Sequence, residues 1–173
     1  MTFLKRILGS GNEQARLKPL YRALVAAGRD PFWYREARVP DTLDGRFDMV
    51  AAILSLVLLR MERDGDVGRA DSVLLTETFI ADMDGTLRQI GIGDFVVGKH
   101  VGKMMGALGG RLTAFRTAIE AQDFAPAVTR NVFRDAPPSA EAVASASAAF
   151  ARFHDGLALL ASDRLLAGEL PTI

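Results

Sequence analysis

The chain has 173 residues, of which 49% are hydrophobic and 24% are charged. Lysine plus arginine and aspartate plus glutamate are equal in number, at 21 each, so the chain lacks the positive field on which nonspecific nucleic-acid binding depends, and DNA is not an expected partner. The absence of cysteine excludes disulfides, thiolate catalysis and zinc sites built on sulfur.

The spacing of apolar residues predicts the fold. They recur at every third or fourth position along nearly the whole chain, which is typical of α-helices, and the alternation typical of strands is nearly absent. We therefore predict an all-α fold, a single compact domain of about seven to nine helices over residues 12–173. Residues 1–11 are expected to form a flexible N-terminal segment, whose apolar and basic side chains suit weak contact with an anionic membrane surface.

Three helices are predicted in the first third of the chain. The first covers residues 12–27 and ends at Gly28, and a short second helix begins where Asp30 provides an N-cap and Pro31 fits the first turn. The third helix, over residues 46–63, is the most apolar. Its longest apolar run is shorter than the about 20 residues that cross a bilayer, so it is predicted to lie in the core.

The second half of the chain continues the helical pattern. In the fifth helix, the pair Gly109-Gly110 is expected to break or kink the chain. A short helix follows over residues 126–133, and Ser139 is expected to cap the last long helix. The fourth helix is predicted over residues 69–90, with an inner seam made of Val73, Ile80, Met83, Leu87 and Ile90.

Acidic residues near position 84 raise the question of a metal site. Residues two apart on a helix point about 200° apart, so Asp82 and Asp84 are not expected to face each other. Asp84 and Arg88 are four apart and are expected to form a surface ion pair instead. We therefore predict no metal and no cofactor, and interpret the region as a structural motif made of Asp82, Asp84, Arg88, Gly91, Gly93 and Asp94.

The sequence offers no arrangement for nucleophilic catalysis. No nucleophile-elbow sequence surrounds a serine, and His100 and His154 lie in separate predicted helices. Asp155 follows His154 directly, but neighbours on a helix are expected to point apart. We therefore expect a protein that is not an enzyme.

Two regions could contact a partner protein. Residues 40–48 place Asp41, Arg46 and Asp48 at a helix entrance, where they form either caps and an internal Arg–Asp pair or a polar recognition corner. The fifth helix carries adaptable apolar side chains that are either ordinary core or a surface for varied apolar segments. Its residues are Val96, Val97, Val101, Met104 and Met105.

Several short motifs form an ordered set over roughly residues 20–133. In the first half they are Leu20-Tyr21, Arg29-x-Pro31-x-x-Tyr34 and Val39-Pro40-Asp41-Thr42-x-x-Gly45-Arg46-Phe47-Asp48-Met49. In the second half they are Phe79-x-x-Asp82-Met83-Asp84-x-x-Leu87-Arg88, Gly91-x-Gly93-Asp94, Val97-x-Lys99-x-Val101, Lys103-Met104, Gly110-Arg111 and Asn131-Val132-Phe133-Arg134. This set resembles the ubiquinol–cytochrome c chaperone family.

The resemblance implies a helical chaperone for the assembly of respiratory complex III. Its client would be newly made cytochrome b, a multi-span membrane protein, or another complex III subunit, and the ribosome or a small companion protein would be further partners. Neither a secretory signal nor a long Arg- and Ser-rich leader is visible, so a bacterial protein or a mature organellar one is expected. In a bacterium the expected location is the cytoplasm, peripherally at the inner membrane. The family usually carries a Leu-His pair in its apolar helix where this chain has Ala51-Ala52, so no haem site is inferred.

Two other interpretations stay open. The first is a metal- or small-ligand-binding helical enzyme that uses Asp82, Asp84, Asp94 and Arg88, which a stoichiometric metal in the purified protein would favour. The second is a regulatory helical interaction module, which would co-purify with a partner from the soluble rather than the membrane fraction.

Overall fold

The computed structural model describes the backbone of residues 3–89 and 94–173 and the side chains of residues 15–86, 102 and 105–173. Within these residues the chain is helical and has no strand, which confirms the all-α prediction. The helices are α1 (Phe3–Gly28), α2 (Pro31–Arg35), α3 (Leu43–Met61), a short 3-10 helix (Glu62–Asp64), α4 (Gly65–Gln89), α5 (Asp94–Ala121), α6 (Ala125–Asn131), α7 (Ala140–Leu159) and α8 (Ser162–Leu166).

Helix α3 lies at the centre of the fold. Its side chains are buried on all sides from Asp48 to Leu59, and it packs against α1, α4, α5 and α7. A helix that is apolar all round needs neighbours on every side, and the surrounding helices supply them. No helix in the described part of the chain is long and apolar enough to span a membrane.

The predicted helix starts are confirmed where a side chain caps the first turn. The Asp30 carboxylate accepts from Phe32 N at 2.8 Å, and the Ser139 hydroxyl accepts from Ala142 N at 3.2 Å. α3 begins at Leu43, three residues before the prediction, because the Thr42 hydroxyl already caps it. These short-range hydrogen bonds satisfy N–H groups that have no partner within the helix.

A close helix crossing explains the glycine that ends α1. A Cβ atom on Gly28 would lie 2.9 Å from Val50 Cα, so a larger residue would push α1 away from α3. The prediction that the first helix ends at Gly28 is confirmed, whereas its start is earlier than predicted, since α1 begins at Phe3. The division of the chain at residue 11 stays a prediction.

The predicted inner seam of α4 is confirmed at Ile80 and Met83, which pack against the core, and is wrong at Val73. The side chains of Leu87 and Ile90 lie outside the described residues. Val73 is 58% exposed, whereas Asp71, Leu75 and Phe79 are buried. The stripe is displaced because Arg16 of α1 pairs with the Asp71 carboxylate and takes it into the helix interface, with one bond of 3.2 Å from Nη1. The spacing of apolar residues alone does not reveal this buried charge, because its partner lies on another helix.

The expected break in the fifth helix is also absent. α5 runs without interruption from Asp94 to Ala121, so Gly109 and Gly110 lie within a continuous helix. Leu108 and Phe115 hold this helix against the core on its other side. Packing of that face therefore outweighs the weak helix propensity of the two glycines.

Candidate functional site

A buried network of charges joins α3, α5 and the loop after α6. The carboxylate of Asp48, which is 1% exposed, pairs with Arg111 through Oδ1 and accepts from Arg134 Nε at 2.6 Å through Oδ2. Arg134 also donates from Nη1 to Asp44 at 2.9 Å. The network fixes the position of the loop against the first turns of α3.

The two arginines of this network sit in different environments. Burial lowers the pKa of the Arg111 guanidinium, and the charge of Asp48 opposes that effect. The hydrogen bond with Asp48 raises the pKa of Arg134, whose side chain is half-exposed. Arg111 also lies over the Phe47 ring, with 5.7 Å from Cζ to the ring centroid, and its Nε has no partner among the described residues.

An arginine cleft of about 350 Å³ opens beside α2 and the start of α3. Its lining residues are Arg29, Pro31, Tyr34, Arg35, Asp41 and Arg46. Arg46 donates from Nε to Asp41 Oδ1 at 2.6 Å, and this hydrogen bond lowers the pKa of Asp41. The predicted internal Arg–Asp pair is therefore present, and it lies at the surface.

The outer side of α5 exposes a strip of backbone, which we call the glycine face. Its residues are Gly102, Met105, Gly106, Gly109 and Gly110. A Cβ atom placed on any of these four glycines would meet nothing within 4 Å among the described residues. Met105 is 42% exposed. The described part of the fold therefore gives no steric reason for glycine at these positions.

The glycine face continues into a polar groove. A cleft of about 390 Å³ runs from Gly106 and Gly110 to Arg130 and Arg134. Arg134 also lines a smaller cavity of about 150 Å³ next to Thr42 and the start of α3. An apolar helix face thus borders a rim with both signs of charge, which can hold the polar end of a segment that lies along α5.

A separate groove of about 320 Å³ lies at the far ends of α3, α5 and α7. Leu59, Ile119 and Leu157 are among its lining residues, and Arg116 forms a two-bond pair with Glu62 at 2.8 and 2.9 Å. This pair occupies part of the polar rim of the groove.

The predicted separation of the neighbours His154 and Asp155 is wrong. His154 Nδ1 lies 3.0 Å from Asp155 Oδ1, so the two rotamers bend toward each other despite their positions on α7. The contact is exposed to solvent, and no hydrogen bond joins the ring to a serine or threonine in the described side chains.

The structure assigns Asp82 a structural contact. Its Oδ2 accepts from the Tyr21 hydroxyl at 2.7 Å, which links α4 to α1. Burial, and then this hydrogen bond, raise the pKa of Tyr21. No group of three or more metal-ligating side chains is present among the residues whose side chains are described.

Several predicted residues lie partly or wholly outside the described region. The backbone of Gly91 and Gly93 and the side chains of Arg88 and Asp94 are outside it, so the predicted Asp84–Arg88 pair stays a prediction. Asp94 is the first residue of α5. Four residues of the predicted partner surface have side chains outside the described set, namely Val96, Val97, Val101 and Met104.

Sequence reasoning did not find the partners of Asp48. Arg111 and Arg134 are 63 and 86 residues away in the chain, so no local spacing could connect them. Gly109 and Gly110 of α5 are visible in the sequence, but their low helix propensity predicts a break or kink rather than an exposed helix face. Ala51 and Ala52 are buried within α3 and belong to the hydrophobic core.

Comparison with known proteins identifies the family. The family model described as ubiquinol-cytochrome C chaperone matches residues 35–172. The chain belongs to this family. The crystal structure of the Cbp3 homolog from Brucella abortus superimposes with a TM-score of 0.80 and 29% sequence identity, over 99% of this chain and 97% of that one. No curated protein matches the chain significantly.

The family match includes most of the features described above. The ubiquinol–cytochrome c chaperone model spans α3 to α8 together with the Asp48 network, the glycine face and part of the arginine cleft. The family resemblance stated from the ordered motifs is therefore confirmed, and the structural match extends it to almost the full length of the chain.

Proposed function

We propose that this protein is an assembly chaperone for ubiquinol–cytochrome c reductase, respiratory complex III, and that its client is newly made cytochrome b. Membership of the ubiquinol–cytochrome c chaperone family and the similarity to a Cbp3 homolog support the assembly role. The function is binding rather than catalysis. The protein works in the cytoplasm of a bacterium, peripherally at the inner membrane, where a nascent membrane protein is found.

The glycine face of α5 is the observation that carries the client assignment. Glycine within a helix is less favourable than alanine by about 0.8–1.0 kcal/mol, so four such glycines destabilise the helix by about 3–4 kcal/mol. Because a Cβ at these positions would meet nothing within 4 Å among the described residues, that part of the fold gains no packing in return. A bare helix backbone does allow a second helix to approach closely, as small residues do between membrane helices.

The client segment would be an apolar helix of cytochrome b that has not yet found its own partners. Such a helix lies along Gly102, Gly106 and Gly109, which follow one another at helical spacing on one side of α5. Met105 flanks this line and adapts to different side chains. Arg130 and Arg134 lie where the polar end of the segment leaves the helix face.

The remaining predicted contacts fit this arrangement to different degrees. Val96, Val97, Val101 and Met104 precede or adjoin the glycine face on α5 and extend the proposed client surface. The Asp41–Arg46 pair forms an exposed corner beyond the polar groove. Asp48 contributes indirectly, because its buried carboxylate accepts a hydrogen bond from Arg134 and so holds that side chain in place. Contact with the ribosome and with a small companion protein belongs to the same proposal.

The experiment places a side chain on the glycine face. Gly106→Leu puts a branched side chain where the client helix approaches, and a clash of about 1–3 kcal/mol lowers client affinity about 5- to 150-fold. Leucine favours the helix over glycine, so the variant stays folded. The measurements are recovery of cytochrome b with the tagged protein and the amount of assembled complex III in a deletion strain that carries the variant.

Gly85→Leu is the matched control. Gly85 lies in α4, where a Cβ would likewise meet nothing within 4 Å among the described residues, so the same substitution adds the same side chain elsewhere. This control should support normal complex III. Normal cytochrome b recovery and normal complex III with Gly106→Leu would contradict the client surface on α5. Normal complex III in the deletion strain without any copy of the gene would contradict the assembly function itself.

A further inference from the structure

The arginine cleft contains more positive charge than the fold uses. Three guanidinium groups, those of Arg29, Arg35 and Arg46, line it together with one carboxylate, Asp41. Arg29 and Arg35 form no ion pair with any residue whose side chain is described, and both are exposed. Elsewhere in the fold, arginines with a structural role are paired with a carboxylate, as Arg111 is with Asp48.

The third arginine is oriented by its partner. Arg46 donates to Asp41 through Nε, which leaves its two terminal nitrogens without an acceptor among the described side chains. The Tyr34 hydroxyl donates to Gly28 O at 2.9 Å, which fixes the phenol in the wall of the cleft. The free nitrogens of a planar guanidinium fork match the oxygens of a phosphate group.

An apolar side chain stands beside this charge. Leu43 is 61% exposed in the first turn of α3, three residues before Arg46, and residues at this spacing share one side of a helix. A leucine next to basic residues is the combination that binds a membrane surface, because the side chain enters the boundary of the acyl chains while the arginines pair with headgroups. A free phosphate ion would gain nothing from Leu43.

We propose that the arginine cleft is a binding site for the phosphate group of an acidic phospholipid, which docks the chaperone on the membrane surface with Leu43 inserted beside it. The site is distinct from the glycine face and does not depend on the identity of the client. It also gives a membrane contact independent of the N-terminal segment. The cleft volume of about 350 Å³ accommodates one phosphate with its attached glycerol group.

The test measures flotation of the full chain with vesicles of phosphatidylcholine, with and without phosphatidylglycerol. The variant Arg29→Gln with Arg35→Gln removes two charges that make no contact the fold needs. One basic group near an anionic surface contributes about a fivefold change in partitioning, so the double variant should bind acidic vesicles about 30-fold more weakly. Leu43→Asn should also weaken binding, by a smaller factor.

Arg22→Gln with Arg152→Gln is the matched control, because both residues are exposed, form no ion pair among the described side chains and lie outside the cleft. The control should lose less than about threefold, as expected for a change in net charge alone. Equal losses in the two double variants, or no loss in either, would overturn the proposal.

Two further arms separate other ligands of the same chemistry. Inorganic phosphate that binds the cleft while acidic vesicles do not would overturn the membrane claim in favour of a free anion. An acidic peptide whose binding falls in the cleft variant, while vesicle binding stays unchanged, would overturn it in favour of a protein partner. Loss of vesicle binding with Leu43→Asn at unchanged phosphate affinity would support insertion of the side chain.

Discussion

Replacement of Asp48 by asparagine should be among the most destabilising polar substitutions in this chain. The side chains of Asp48 and Arg111 are 1% and 9% exposed, so asparagine would leave a buried guanidinium without a countercharge. Removal of one partner from a buried ion pair typically reduces the free energy of unfolding by about 3–5 kcal/mol. That is a large share of the about 5–15 kcal/mol by which a domain is stable.

The expected loss in the free energy of unfolding is much smaller for Arg134, the second arginine of the network. The Arg134 side chain is 55% exposed, so water screens its pair with Asp48, and Arg134→Gln should cost only about 0–1 kcal/mol. The double variant Asp48→Asn with Arg111→Met should recover most of the loss, because it removes the buried charge and fills the same space with an apolar side chain.

Urea unfolding followed by circular dichroism measures these differences. With a slope of about 2 kcal/mol per molar urea, Asp48→Asn should lower the midpoint by about 1.5–2.5 M. A midpoint shift below about 0.5 M would refute the claim that the Asp48–Arg111 pair is buried away from water. If the double variant were as unstable as Asp48→Asn, the loss would come from altered packing rather than from the unpaired charge.

Three further substitutions test other parts of the fold. Tyr21→Phe should flatten the fall in the free energy of unfolding above about pH 10. The pKa of the Tyr21 phenol is raised in the folded state, so its contribution to stability is complete below the pKa of the unfolded chain and is lost as pH rises. Parallel pH profiles for the two proteins would count against the Tyr21–Asp82 bond. Thr42→Ala should lower the free energy of unfolding by about 1 kcal/mol through loss of the α3 cap, and an unchanged melting temperature would contradict this. Phe79→Ala should destabilise by about 3–5 kcal/mol while Val73→Ser stays within about 0.5 kcal/mol, and the reverse order in thermal melts would restore the predicted seam of α4.

The features that sequence predicts well here are those set by near neighbours. The caps at Asp30 and Ser139 each join a side chain to an N–H two or three residues away, so the local sequence alone indicates them. The Thr42 cap is equally local, but the predicted start of α3 at residue 46 misses it. The central position of α3 follows from a run that is apolar on every side. The ordered motifs also sufficed to indicate the family.

The features that sequence misses depend on residues far apart in the chain. The burial of Asp71 has no local signal, because its partner Arg16 lies 55 residues earlier in the chain. The sequence left open whether Asp48 belongs to an internal pair or to a polar recognition corner, because its partner Arg134 lies 86 residues later. For Gly109 and Gly110, local propensity favours a break or kink, but the opposite face of α5 is packed firmly enough to keep the helix continuous.

Site-specific photo-crosslinking during synthesis of cytochrome b tests the proposed client surface most directly. A photoreactive residue at Met105 reports from the glycine face, and one at Leu159 reports from another exposed apolar position, 89% accessible, at the end of α7. We expect a crosslink to nascent cytochrome b from position 105 and none from position 159. Crosslinks from position 159 with none from position 105 would contradict the proposal that α5 receives the client.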